Sequence, residues 1–267
     1  MEIISSRSNP KIKQVRALHN RKERQATRLF LVEGIRHVGE ATQAGAKIQS
    51  IIYAPELLSS DFAHQVIQKQ SAGGVPCYAV TAEVFDSLAG KENPQGILAV
   101  VHQPQSNLDC LTREDFAWGV ALVAPQDPGN LGAILRTVDA VGASGLLLLD
   151  SSVDAYHPSA VRASMGTLFW YPVVTAAFAE FAGWARGRGY HIYGTSTHGS
   201  TDYRAISSYQ KPCILLMGSE REGLTPQQAV ACDQLIRLPM HGHATSLNLA
   251  VATGVMLYSM LERFRPS

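Results

Sequence analysis

Residues 118–149 read WGVALVAPQDPGNLGAILRTVDAVGASGLLLL. A continuous apolar run opens the stretch, and Pro128-Gly129-Asn130 follows as strong turn chemistry. Leu131, Ile134, Leu135, Val138, Val141 and Gly142 then form one stripe at helical spacing before a second apolar run, GLLLL. Strands that are apolar on both faces and joined through a helix belong to a parallel sheet covered on both sides. The pattern recurs downstream in YPVVTA (171–176), YHIYG (190–194), CILLM (213–217) and LIRLP (235–239), most of them separated by helical patterns. The expected fold is therefore α/β with a mostly parallel sheet. Ligands in such folds sit beyond the carboxyl ends of the strands, so the residues after each run are the ones to inspect.

Upstream, a basic helix near 9–25, FLVEG (30–34), a helix near 34–45, IQSIIYA (48–54), a helix near 61–70, VPCYAV (75–80) and GILAVV (96–101) compose a smaller α/β unit. The expected domains are 1–103 and 118–267. Residues 104–117 are expected to link them, because that stretch has no long apolar run and carries Pro, Ser, Asn and Asp. The 267 residues carry a net charge of only +1, but residues 1–36 hold nine Lys/Arg against three acids. That asymmetry suits a polyanion bound at one end, and equally a solvated basic face. Cys77, Cys110, Cys213 and Cys232 show no C-x-x-C spacing, which indicates reduced thiols rather than a zinc site or disulfides. No segment approaches the roughly 18 apolar residues of a membrane span, and the start MEIISSRSNPKIK does not suit secretion, so a cytoplasmic location is expected.

Three loops that follow strands carry candidate chemistry. In the first, Asn130 suits the N-cap of its helix, and Arg136 points away from the apolar stripe towards solvent or a ligand. In LLMGSEREGL (215–224), Gly218 lets a ligand approach the backbone and Glu220 brings a carboxylate to the same edge. In the third, a strand ends at Pro239, and Thr245 or Ser246 can cap a helix whose apolar face is Leu249, Ala252, Val255, Met256 and Met260. His241 and His243 have no third ligand nearby, so no metal is expected. Neither a Walker sequence nor a dinucleotide glycine fingerprint is present, which counts against other nucleotide-binding α/β enzymes.

In order and content the three loops resemble the motifs of the SpoU (TrmH-type) RNA ribose methyltransferases of the SPOUT superfamily. The resemblance lies in NLGAILRT (130–137), MGSEREG (217–223), and Leu238-Pro239-Met240 with Ser246-Leu247-Asn248. HPSAVRASMGTLFWYPV (157–173) is similar to the family's connecting segment. Residues 1–101 are similar to the substrate-binding domain of many members, through SRSNPKIKQVRAL (6–18), FLVEGIRHVGEA (30–41) and NPQGILAVV (93–101). The resemblance implies a small ribosomal-protein-like RNA-binding domain followed by a catalytic α/β domain with a deep trefoil knot, working as a homodimer. It implies S-adenosyl-L-methionine as methyl donor, held by Thr195, Gly218, Leu238, Met240 and Leu247. Arg136, Asn130, Glu220, Ser246 and Asn248 would act on a ribose 2′-hydroxyl, most expectedly in 23S-type ribosomal RNA. Transfer RNA, or a non-catalytic RNA-binding protein of the same fold, is the alternative. Arg7, Lys11, Lys13, Arg16 and Arg162 are the candidate RNA contacts. A guanidinium with a pKa above about 12 makes a poor base, so Arg136 is read as an electrostatic clamp on phosphate and developing alkoxide.

Overall fold

The computed structural model describes residues 3–90, 93–197 and 199–264. The chain divides into two compact units, Met1–Pro104 with Tyr156–Trp170, and Gln105–Ala155 with Tyr171–Ser267.

The first unit contains α1 (Pro10–Ala17), α2 (Arg21–Thr27), β1 (Leu29–Glu33), α3 (Ile35–Gln43), β2 (Ile48–Tyr53), α4 (Asp61–Ala72), β3 (Cys77–Ala79), α5 (Ala82–Asp86) and β4 (Ile97–His102). Its sheet has the order β1-β4-β2-β3, with β4 antiparallel to both neighbours and β3 parallel to β2. Ile12, Val15 and Leu18 on one side of α1 join Leu31, Ile52, Leu98 and Val100 of the sheet in one core. The basic helix expected over 9–25 is in fact two helices. Asn20 accepts from Lys22 N at 2.8 Å and starts α2, a cap signal hidden inside a run of charged residues. Arg24 is buried to 1% exposure and donates from Nη1 to the carbonyls of Leu18 and His19, both at 2.8 Å. One of the nine early cations is thus consumed in closing the end of α1.

The later helix Pro158–Ala163 packs on β1 in this same unit. The rings of Tyr156 and Phe169 lie 4.7 and 6.2 Å from that of Phe30. This aromatic contact draws Tyr156–Trp170 out of the continuous 118–267 region that the sequence suggested. The expected linker is also less free than its composition implied. Leu108, Leu111 and Phe116 are buried in the core of the second unit, so short apolar anchors replace a flexible connection.

The second unit contains β5 (Trp118–Val123), α6 (Pro128–Val141), β6 (Gly145–Leu149), then, after the Pro158–Ala163 helix (α7), β7 (Val173–Ala176), α8 (Phe178–Gly187), β8 (His191–Thr195), β9 (Thr201–Asp202), β10 (Cys213–Met217), α9 (Pro226–Val230), β11 (Gln234–Arg237) and α10 (Leu249–Arg263). Its seven-stranded sheet has the order β7-β6-β5-β10-β8-β11-β9, and every pairing in it is parallel. Ala121, Val123, Leu147, Leu149, Ile214 and Leu216 face Phe181 and Ala185 of α8. Alternation turns Val120, Leu122, Leu146, Leu148 and Leu215 to the other face, where α6 and α10 pack against the sheet and each other. Helix α6 ends where Gly142 adopts φ 71°, a left-handed C-terminal residue. The two-residue β9 has no apolar run and escaped the sequence reading. Among the described residues no helix is long and apolar enough to cross a membrane.

Candidate functional site

Register brings three strand ends together. Leu216 of β10 pairs with Gly194 of β8, and Ile236 of β11 pairs with Thr195. The loops that follow these strands enclose a cavity of about 340 Å³. Thr195, Gly218, Leu238, Met240 and Leu247, the five residues expected to hold a cofactor, all line it, as do Glu220 and Ser246. The sequence reading missed Ser196, Thr197, Ser219 and Arg221, which also line the cavity. Their position directly after β8 and β10 was the available signal.

Gly218 has a further reason that the sequence did not show. A Cβ there would collide with the backbone of Gly223 and Leu224, because the loop closes on itself through Ser219 N to Gly223 O and Gly223 N to Ser219 O, both 3.0 Å. The glycine permits this tight loop, whose backbone forms the cavity wall.

The caps also differ from expectation. Asp127, not Asn130, caps α6, accepting from Gly129 N at 2.6 Å and Asn130 N at 3.1 Å. Pro128 occupies the first helical turn, which fixes the cap one residue before it. Asn248, not Thr245 or Ser246, caps α10 through Ala250 N and Val251 N at 2.9 and 3.3 Å. The side chain of Asn130 is thereby released for another task. Its Nδ2 donates to Glu220 Oε1 at 2.5 Å, and its Oδ1 accepts from Asn248 Nδ2 at 2.9 Å. Glu220 Oε2 accepts from Gln126 N at 3.3 Å. One chain of hydrogen bonds therefore clasps all three loops beside the cavity.

Arg136 does not join this cluster. It is exposed on α6, outside the cavity lining, with no hydrogen-bond or ion-pair partner among the described residues. Val255, expected on the buried face of α10, is 37% exposed beside Val251 and Tyr258. At the end of the edge strand β9, Arg204 holds the Asp202 carboxyl well below the usual carboxylate range through hydrogen bonds at 3.0 and 2.8 Å.

The candidate RNA contacts are partly committed within the first unit. Arg7 pairs with Glu83 at 3.2 Å, Lys11 sits 4.0 Å over the Tyr78 ring, and Arg16 donates to Ser87 Oγ at 2.7 Å. Lys13 is exposed, and Arg162 reaches Ser159 Oγ at 3.4 Å.

The cavity combines apolar Leu238, Met240 and Leu247 with the hydroxyls of Thr195, Ser196 and Ser246 and the backbone of a tight loop. This lining fits S-adenosylmethionine, whose flat base and the carbons around its sulfonium need apolar cover and whose ribose and amino-acid ends need polar partners. Among the described residues no group of three His, Cys, Asp or Glu could hold a metal ion.

The chain is similar to known proteins over nearly its whole length. The family model of the SpoU rRNA Methylase family matches residues 118–258, and that of the MRM3-like substrate binding domain matches residues 9–99. The chain is 31% identical over 261 residues to the 23S rRNA (guanosine(2553)-2′-O)-methyltransferase of Bacillus subtilis (strain 168), covering 97% of this chain and 99% of that protein. It is 34% identical over 269 residues to the 23S rRNA (uridine(2479)-2′-O)-methyltransferase of Streptomyces viridochromogenes, covering 97% and 92%. The crystal structure of an AdoMet-bound rRNA methyltransferase from Sinorhizobium meliloti superposes with a TM-score of 0.89 at 38% identity, covering 98% of this chain and 97% of that one. With a matched methylase region and relatives aligned over nearly its whole length, the chain belongs to the SpoU rRNA methylase family.

Proposed function

We propose that this chain is an S-adenosylmethionine-dependent methyltransferase that modifies a ribose 2′-hydroxyl of 23S-type ribosomal RNA. The observation that carries the reading is the clasp of Asn130, Glu220 and Asn248 beside a cavity of the right chemistry at three strand ends. When bound, S-adenosylmethionine supplies a methyl group on a positively charged sulfur. Thr195, Gly218, Leu238, Met240 and Leu247 hold it. Asn130, Glu220 and Asn248 fix the loops so that the acceptor oxygen can be aligned with little residual freedom. Ser246 offers a hydroxyl to the ribose. Arg136 supplies positive charge to the phosphate and to the oxygen as its proton leaves. The guanidinium does not take that proton, which passes to phosphate or water.

Three further properties belong to this reading. The first unit binds the RNA substrate, supported by the match to a substrate-binding domain, with Arg7, Lys11, Lys13, Arg16 and Arg162 adding phosphate attraction. The protein is a homodimer, supported by the exposed apolar stripe Val251, Val255, Tyr258 and Leu261 on α10. Its catalytic unit carries the family's trefoil knot, and it acts in the cytoplasm.

Mapping 2′-O-methylation across ribosomal and transfer RNA with and without the gene tests the function. One ribosomal position losing its methyl group is expected, whereas a lost transfer-RNA position would reassign the substrate. No heat of S-adenosylmethionine binding at millimolar concentration would favour a non-catalytic RNA-binding role and sink the enzyme reading.

A further inference from the structure

We propose that the first unit carries an aromatic platform for unstacked RNA bases, formed by Phe62 and Trp170 along the two flanks of α3. The proposal rests on the RNA-substrate reading and says where that substrate is gripped. Phe62 and Trp170 are 43% and 53% exposed, whereas the other aromatic rings described in the unit are buried, as Phe30 and Phe85 are, or half-buried, as Tyr53, Tyr78, Tyr156 and Phe169 are. Both rings are held in place. Phe62 lies so close on Gly39 that an added Cβ would come within 2.8 Å of its Cε1. Trp170 donates from Nε1 to Glu40 Oε2 at 3.1 Å, on the neighbouring position of the same helix. Positions 39 and 40 diverge by about 100° around a helix, so the rings stand on either side of its outer face.

Arg36 sits one turn before Glu40 on that face, exposed and without a hydrogen-bond or ion-pair partner among the described residues. Lys69 lies seven residues after Phe62 on α4, also exposed and on the same side of its helix. Glu40 keeps its negative charge while it anchors the indole, and the exposed Arg36 and Lys69 set two positive charges against it. Fixed, exposed rings with cations alongside are the composition that binds single-stranded nucleic acid, where bases stack on rings and phosphates meet cations. A duplex keeps its bases stacked internally and cannot use the rings.

The test uses full-length protein and a short single-stranded RNA, with its duplex as control. Trp118 is 2% exposed and Trp184 half-buried, so quenching of the exposed tryptophan emission reports on Trp170. Trp170→Ala and Phe62→Ala should each weaken single-strand binding about tenfold without changing its salt dependence, and Trp170→Phe should retain most of the affinity. The Phe variant guards against a loss caused by misfolding. Single-strand binding unchanged in both alanine variants, or a duplex bound as tightly as the single strand, overturns the platform while leaving the RNA reading intact. Wild-type protein that binds no RNA overturns both. Lost self-association in Trp170→Ala with intact RNA binding would assign the face to protein contact instead.

Discussion

Asn130 makes two hydrogen bonds of opposite polarity, donating to Glu220 and accepting from Asn248, and its side-chain amide supplies the donor and the acceptor on separate atoms. Asn130→Ala removes both bonds at an exposed site and should cost about 1 kcal/mol of stability. Asn130→Asp keeps an acceptor for Asn248 but sets a second carboxylate against Glu220, so it should be the less stable of the two at pH 8. Acidification through the carboxylate range should close the gap as the repulsion is titrated away. Both variants should lose at least about tenfold in methyl transfer. Because Asn130 does not line the cavity, cofactor affinity by calorimetry should stay near wild type. An aspartate variant as stable as the alanine variant across that pH range would sink the clasp. None of this pairing was legible in the sequence. The three motifs identify Asn130, Glu220 and Asn248 as candidates, but 90 and 118 positions separate the bonded partners, and spacing cannot say which loops meet.

At the scale of elements, Asn248 both caps α10 and donates to Asn130, and substitution can separate the two tasks. Asn248→Asp keeps an oxygen for Ala250 and Val251 and should leave the melting temperature near wild type while methyl transfer falls. Asn248→Ala should lose both, with about 1 kcal/mol of stability. Equal melting temperatures for the two variants would mean that the cap contributes nothing. Strand β10 offers a pH test. It lies between β5 and β8, and burial pushes the Cys213 thiol up to about 12 from an ordinary 9.0; Cys232, packed behind β8, is likewise pushed up to about 12. Folding thus keeps both thiols neutral, while an unfolded chain ionises them above pH 9. Their contribution is complete below that value and is lost as pH rises towards 12. The urea midpoint should fall across this window, and Cys213→Ala with Cys232→Ala should reduce the slope; an unchanged slope would exclude them as its source. The strands were legible because a buried parallel strand must be apolar on both faces, which is a local property. The caps were not, since Asp127, Asn130, Thr245, Ser246 and Asn248 all have capping chemistry and backbone geometry selects among them. The expected linker failed for a related reason, because Leu108, Leu111 and Phe116 are too sparse to look like a core until the core is present.

At the scale of the whole molecule, the position of Arg136 and the surface of α10 pose a single question. Arg136 is exposed on α6 and absent from the cavity of its own chain, while α10, which packs against α6, turns Val251, Val255, Tyr258 and Leu261 to solvent. A homodimer built on this stripe would bury it and could deliver Arg136 to the partner subunit's cavity. Val255→Glu, at an exposed position that the fold does not need, should then give a folded monomer by sedimentation, with cofactor binding retained and methyl transfer lost. Delivery across the interface makes a sharper prediction. Arg136→Ala and Glu220→Ala should each be inactive alone. In a randomly reassembled mixture, half the dimers contain one chain of each kind, and one of their two sites then combines an intact Arg136 with an intact Glu220. Mixing should therefore restore about a quarter of wild-type activity. If each chain used its own Arg136, every site in the mixture would lack one group and no activity would return. That result would require Arg136 to reach its own cavity by a rearrangement of α6, and the exposed stripe on α10 would then have no part in the chemistry.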